Sequence, residues 1–346
     1  MTDDRSARPA GVAKRRDGPV TIAYIAESAG VSVPTVSKVL NGRPGVSDDT
    51  RARIEDLIIQ HGYRKPPFRS NTLELVFREL ESLWAVEIIR GVEQVARKHR
   101  IGVTVSEFGL HDSLPEPMDD MVFRRPKAVL SVAQLSDAER EQLAANGIPF
   151  VVFDPISELP EDVPFVGATN WRGGQTATRH LIGLGHRRIA MVRGPAGLMC
   201  FDARTAAYAF TMAAAGLPVD PELTVEAEPS KEAGYAAACG LFALADRPTA
   251  VFASNDLQAI GVYQAAREAG LRIPDDVSVV GFDDLPVAAW LDPQLTTVHQ
   301  PLSQMAAAAT ELALALGRGE ETPQLGVELA TTLTVRRSTA PPKPAG

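Results

Sequence analysis

The sequence predicts an all-α headpiece at the N-terminus joined to a two-lobed α/β core of parallel sheets. Three observations predict it. Helical signals are packed into residues 20–63, residues 64–72 turn polar and Pro-rich, and beyond them short apolar runs alternate with amphipathic stretches in two successive series. Such alternation means strands joined by crossover helices, hence parallel sheets. Two series mean two similar lobes. At 346 residues the chain is long enough for more than one domain.

Residues 1–19, rich in Arg, Asp, Ala and Gly, read as a disordered leader. The first helix is expected over 22–29, with Thr21 as N-cap and Gly30 as the stop. Ser32 caps the second, which has Pro34 in its first turn, where a missing N–H costs nothing, and runs to about Asn41. Gly42, Pro44 and Gly45 make a loop. Ser47 caps the third, with Asp48 and Asp49 favourable to the helix dipole in its first turn, and Gly62 ends it. Pro66, Pro67, Arg69 and Ser70 mark 64–72 as a linker.

The core is expected over 73–337. Its first series has strands at 73–77, 102–106, 128–132 and 150–153 and helices at 86–99 and 137–146. The second has helices at 174–184, 202–215, 233–244, 257–269 and 302–317, and strands at 189–192, 250–253 and 277–281, with a last strand near 329–335. Lobe 1 is read as about 73–169 with 300–322, and lobe 2 as about 170–299 with 323–337. Residues 338–346, short, polar and Pro-rich, are read as a tail without a leucine heptad for tetramerisation. A ligand is expected at the carboxyl ends of the strands, between the lobes.

Residues 1–70 carry a net charge of +4 and the remainder −12, within −8 for the whole chain. A basic head on an acidic body fits a small nucleic-acid-binding domain attached to something else. No apolar run approaches the roughly 20 residues of a membrane span. The polar start over 1–17 lacks the apolar region of a signal peptide. Cys200 and Cys239 form neither a CxxC nor a Cys/His cluster, which reads as free thiols in a reducing cytoplasm. His61, His99, His111, His180, His186 and His299 show no metal-ligand spacing. His186 and Arg187 read as closing the helix over 174–184. Gly183 and Gly185 precede a strand, and Arg188 replaces a third glycine, so the dinucleotide fingerprint fails. Walker A, GxSxG and HExxH patterns are absent. No enzyme activity, cofactor or metal is expected.

In the headpiece, Ala26 falls where the first two helices must approach closely, and Val31 and Val36 are the buried residues that fix their crossing. That is helix-turn-helix spacing. Ser32, Val33, Pro34, Thr35, Ser37 and Lys38 then project from the start of the second helix, the end that enters the major groove in such motifs. Lys38 donates to guanine or phosphate, and the hydroxyls contact either. A plain helical hairpin that only packs is the other reading of the spacing.

Residues 20–63 resemble the DNA-binding headpiece of the lactose/galactose repressor (LacI/GalR) family. The resemblance is carried by Val20-Thr21-Ile22, Ile25-Ala26 and Ala29-Gly30-Val31-Ser32. It continues through Thr35-Val36-Ser37-Lys38-Val39-Leu40-Asn41-Gly42, Val46-Ser47, Thr50-Arg51 and Gly62-Tyr63. It implies phosphate contacts or register-holding at Thr21, Ser32, Thr35, Ser37, Asn41, Val46, Ser47 and Thr50, and base reading at Val33, Pro34 and Lys38. Two departures stand out. Tyr24 occupies a position usually held by Asp. After Tyr63 the family's Ala-Arg-x-Leu hinge helix, whose leucine wedges into the minor groove, has no counterpart. Arg64, Lys65 and Arg69 are left to follow the phosphates or enter a narrow minor groove, with weaker or no operator bending.

The core, about 73–337, resembles the family's effector-binding core, itself similar to type I periplasmic sugar-binding proteins. The landmarks are Gly183-Leu184-Gly185-His186-Arg187-Arg188-Ile189, Arg204, Ser254-Asn255-Asp256, residues 277–284 and Leu295-Thr296-Thr297-Val298-His299-Gln300-Pro301. Asp154, Asn255 and Asp283 each follow a strand. Carboxylates accept from vicinal hydroxyls, an arginine donates, and an indole packs on a ring face, which suits a sugar. The resemblance places Trp84, Asp154, Cys200, Arg204, Asn255 and Asp283 at cleft-lining positions. It implies a homodimer, paired through the cores with residues 86–99 involved, on a pseudo-palindromic operator. The effector is expected to be a mono- or disaccharide. A sugar sensor with weakened DNA binding is the alternative.

Overall fold

The computed structural model describes residues 22–40, 43–61, 63, 70–78, 80, 83–108, 117–322 and 324–343. The chain divides into two compact units, residues 1–68 and 69–346.

The first unit holds α1 (Ile22–Ala29), α2 (Val33–Leu40) and α3 (Asp48–Gln60). Its core is Ile25, Ala26, Ala29, Val36, Val39, Ile54 and Tyr63, with Val31 and Val46 half-buried against it. Gly30 takes a positive φ of 62°, which lets the Val31 N–H return to the Ala26 carbonyl at 3.0 Å. Ser47 sits at the N-cap of α3 without a side-chain cap bond, and its hydroxyl donates to Thr50 Oγ1 at 2.8 Å.

The second unit begins with β1 (Thr72–Phe77), α4 (Leu83–His99), β2 (Gly102–Glu107), α5 (Pro117–Arg124), β3 (Ala128–Ser131), α6 (Asp137–Ala145), β4 (Phe150–Phe153) and β5 (Phe165–Ala168). It continues with α7 (Asn170–Gly183), β6 (Ile189–Arg193), α8 (Met199–Ala214), β7 (Thr224–Glu226), α9 (Lys231–Ala243), β8 (Ala250–Ala253), α10 (Asp256–Glu268) and β9 (Ser278–Asp283). It closes with β10 (Thr296–His299), α11 (Leu302–Gly317), β11 (Gly326–Leu329) and β12 (Thr332–Thr334).

Two six-stranded sheets result, ordered β11-β5-β4-β3-β1-β2 and β12-β10-β9-β8-β6-β7. Among the described residues all pairings are parallel except β10 with β12. β8, a central strand buried on both faces, is apolar throughout. In lobe 1, Leu73, Leu75 and Phe77 pack under Ile88 and Val92 of α4 and Met305 and Ala309 of α11. Glu74, buried on the opposite face of β1, is held by Arg124 Nη2 of α5 at 2.5 Å and by the Ser106 hydroxyl.

Three expectations need correction. The assignment of 323–337 to lobe 2 fails for β11, which pairs with β5 of lobe 1; only β12 joins lobe 2. The crossing falls at 330–331, where the Thr331 N–H donates to Thr169 Oγ1 at 3.0 Å and the Thr331 hydroxyl donates to the Thr169 carbonyl at 3.1 Å. The tail read over 338–346 begins inside the core. The Ser338 carbonyl accepts from Val279 N at 2.9 Å, and the Ser338 hydroxyl accepts from Thr296 N at 2.7 Å. His186 does more than close a helix. Its buried ring meets Thr249 Oγ1 at 2.9 Å, Ser278 Oγ at 3.0 Å and the Ala340 carbonyl at 2.9 Å, tying that tail to the sheet.

Candidate functional site

On the first unit, burial divides α2 into two faces. Val36 and Val39 point into the core, while Ser32, Val33, Pro34 and Lys38 are exposed and Thr35 and Ser37 are half-buried. A β-branched residue left 41% exposed at the start of a helix is available for apolar contact, such as with a thymine methyl. The Ser32 hydroxyl lies 2.9 Å from Thr35 Oγ1, and Ser32 O accepts from Thr35 N at 2.9 Å, which orders the first turn. Ser47 is exposed, and Val46 and Thr50 are half-buried. Tyr24 meets His61 edge-on, ring centroids 5.2 Å apart, so the departure at this position is absorbed by packing of α1 on α3. Thr21, Asn41, Arg64, Lys65 and Arg69 lie outside the described residues.

In the second unit the strand ends of the two lobes face each other. Asp154 follows β4 and Asp283 ends β9, with positive φ values of 47° and 107° that turn the chain sharply there. Between them lies Arg204 on α8. Its Nε donates to Asn170 Oδ1 at 2.9 Å and Nη1 to the Ser254 carbonyl at 2.6 Å, and Nη1 lies 3.7 Å from Asp283 Oδ1. The guanidinium carbon stands 3.6 Å over the Phe282 ring. Gln300, at the crossing after β10, accepts weakly from Arg204 Nη2 at 3.4 Å and donates to Asp154 Oδ2 at 3.0 Å. One chain of hydrogen bonds thus joins a carboxylate of lobe 1 to an arginine of lobe 2.

Burial dominates the electrostatics. It pushes the Asp283 carboxyl up to about 7, against the pull of Arg204 and with a further push from Asp154. Asp154 is raised for the same first reason, with Arg204 and Gln300 acting the other way. Burial raises the Cys200 thiol to about 11, so it stays protonated. Asp154, Arg204 and Gln300 are buried and hydrogen-bonded, which suits recognition of hydroxyls.

Trp84 stands in the first turn of α4, edge-on to Phe153 with centroids 5.7 Å apart, and packs on the lobe 1 core. Asn255 is N-cap of α10: its Oδ1 accepts from Gln258 N at 2.8 Å and its Nδ2 donates to the Pro229 carbonyl at 3.3 Å. Asp256 is fully buried and accepts from the Thr297 hydroxyl at 2.6 Å and Leu285 N at 2.8 Å, bracing β9 and β10.

Comparison with known proteins matches residues 21–65 to the family described as bacterial regulatory proteins, lacI family, and residues 178–339 to a periplasmic binding protein-like domain. The HTH-type transcriptional regulator MalR of Streptomyces coelicolor is 33% identical over 334 residues, 92% of this chain and 96% of that protein. The chain belongs to the LacI family. Among solved structures, a complex of the transcriptional regulator CelR with cellobiose aligns at TM-score 0.72 and 31% identity, covering 92% of this chain and 99% of that one. A LacI-family regulator from Enterococcus faecium with bound ribose aligns at TM-score 0.71 and 27% identity, over 78% of this chain and 99% of that one.

In this LacI-family chain the structure brings Asp154, Cys200, Arg204 and Asp283 together. It leaves Trp84 and Asn255 more engaged with their own lobes. Sequence reasoning missed Asn170 and Gln300 as polar members of the set. The available signal was their position: both are amides beside a chain crossing, where a side chain reaches groups of both lobes.

Proposed function

We propose that this chain is a sequence-specific DNA-binding transcriptional repressor whose operator affinity is set by a sugar bound between the lobes of its core. The observation that carries the reading is the buried set Asp154, Gln300, Arg204 and Asp283 spanning the two lobes, in a chain whose relatives include sugar complexes. In this reading Asp283 and Asp154 accept from sugar hydroxyls, Arg204 donates, Cys200 fills volume, and Asn255 and Trp84 line the cleft. Val33, Pro34 and Lys38 read bases. Ser32, Thr35, Ser37, Val46, Ser47 and Thr50 hold the phosphate register, as do Thr21, Asn41, Arg64, Lys65 and Arg69. The relatives are transcriptional regulators, and we assign this chain no catalysis.

A homodimer presents two headpieces to a pseudo-palindromic operator. Leu83 and Val86 of α4 and Val105 of β2 leave apolar surface on lobe 1, and Trp290 leaves more on lobe 2, where pairing would cover it. Among the described residues no helix is long and apolar enough to cross a membrane, and we place the protein in the cytoplasm with its DNA.

The test is selection of binding sites from a random duplex pool with the full-length protein, followed by binding titrations with the enriched sequence. A pseudo-palindrome is expected, with affinity falling steeply as salt rises. Lys38→Ala is expected to weaken the enriched site about 10-fold or more, the loss of one good base contact. Failure to enrich any sequence would favour a sugar sensor without DNA binding.

A further inference from the structure

The buried set does not close off the space beside it. From Asp154 and Cys200 a recess of about 500 Å³ runs outward between the segment 155–163, the N-terminal ends of α7 and α8, and the edge strand β11. That volume falls within the roughly 300–1,000 Å³ typical of small-molecule sites. Its lobe 2 wall carries two large, partly exposed apolar side chains. The Trp171 indole is 42% exposed and the Met199 side chain 46% exposed. Trp171 is also held in place: Phe210 of α8 braces it, ring centroids 5.6 Å apart. Met199 N donates to the Ile156 carbonyl at 2.9 Å, so the recess is bounded by both lobes at once.

The charge of the lining narrows the ligand. Asp154, Glu158, Glu161 and Glu328 contribute carboxylates, while Arg172 is the one cationic side chain among the lining residues. A phosphorylated sugar or nucleotide would enter a negative field. A neutral pyranose would not: its hydroxyls donate to carboxylates, and its C–H face packs on an indole. We propose that this recess is a second subsite, which takes the outer ring of an unphosphorylated oligosaccharide effector, with Trp171 as its stacking platform. The proposal rests on the reading that the cleft at Asp283 and Arg204 holds a sugar. It makes the effector at least a disaccharide and gives Trp171 the role of discriminating by chain length.

The test is calorimetric titration of the full-length protein with glucose, galactose and xylose, with cellobiose, maltose, lactose and xylobiose, and with glucose 6-phosphate. At least one disaccharide is expected to bind 10-fold or more tightly than its monosaccharide, and glucose 6-phosphate more weakly than glucose. Trp171→Ala is expected to cut that disaccharide preference about 3- to 10-fold, the range of an aromatic contact. Trp171→Phe restores part of it. Equal binding of mono- and disaccharides, or an undiminished preference in Trp171→Ala, overturns the subsite and leaves the cleft reading standing. Tighter binding of the phosphorylated sugar overturns the charge argument and the subsite with it. Absence of binding by every sugar overturns the sugar reading of the cleft and the subsite together.

Discussion

Arg204→Met is expected to destabilise the core by an amount that grows with pH. In the wild type Asp283 has its carboxyl pushed up to about 7, above an ordinary value of 3.8. A raised carboxyl holds its proton in the fold. The stability linked to it is whole below about pH 4 and is lost as pH climbs to about 7, after which the native carboxylate survives because Arg204 lies 3.7 Å away. Without the guanidinium, Asp283 must stay protonated to higher pH still. Below about pH 6 both proteins carry a neutral carboxyl, so the ionic loss is close to nothing. Above 7 it accumulates at about 1.4 kcal/mol per pH unit, or about 2 kcal/mol between pH 6 and 8.5. Asp154, also raised and also beside Arg204, adds in the same direction. A pH-independent cost lies underneath. The Asn170 Oδ1 and Ser254 carbonyl acceptors lose their donor, at about 1–3 kcal/mol each where left unsatisfied. Urea unfolding of both proteins at the two pH values separates the parts. The same stability difference at both would refute the idea that Asp283 titrates against Arg204.

Two further expectations concern the scaffold. A Cβ on Gly261 would stand 2.2 Å from the Lys231 carbonyl oxygen and 2.3 Å from Tyr235 N, so Gly261→Ala must force α10 away from α9, at about 2 kcal/mol or more. Gly240 on α9 has nothing within 4 Å, and Gly240→Ala should leave stability unchanged or raise it by up to about 1 kcal/mol; thermal denaturation of the pair checks both, and equal effects would contradict the packing argument. Burial lowers the pKa of His186 from 6.5. The unfolded chain therefore takes up a proton that the fold resists, and stability present above pH 6.5 is lost as pH falls below it. His186→Gln should flatten the decline in melting temperature between about pH 7 and pH 5.5, and an unchanged slope would assign the decline elsewhere.

What was legible in the sequence followed from local chemistry. Runs such as Ala250–Ala253 are apolar because both faces of a central strand are covered, and that needs no knowledge of neighbours. On α2, Val36 buried with Val33 and Lys38 exposed follows from helical period. The illegible parts depend on distant partners. β11 is Gly-Val-Glu-Leu, too short and mixed to announce a strand, and it exists because β5 offers an edge. Ser338 reads as tail until the Thr296 N–H and Val279 carbonyl that it meets are placed beside it. Asn255 has a local role that its place immediately before a helix announces: its Oδ1 caps Gln258 N. Gln300 went unnoticed for a different reason: its two oxygen and nitrogen side-chain partners in the polar set, Asp154 and Arg204, are 146 and 96 residues away.

That last residue bears on how a ligand acts. Gln300 touches Asp154 of one lobe and Arg204 of the other, and the Met199 N–H bonds to Ile156 O across the same divide. Lobe closure is therefore partly satisfied by the protein's own groups. A sugar entering beside Asp283 must replace some of those bonds with its own hydroxyls, so contacts already made without it contribute little to switching. Only the difference between its interactions with the closed and opened arrangements moves the equilibrium. In the proposed reading, the differential affinity on which control of DNA binding depends comes from the bonds a sugar adds beyond those that Gln300 and Arg204 already offer Asp154 and Asp283.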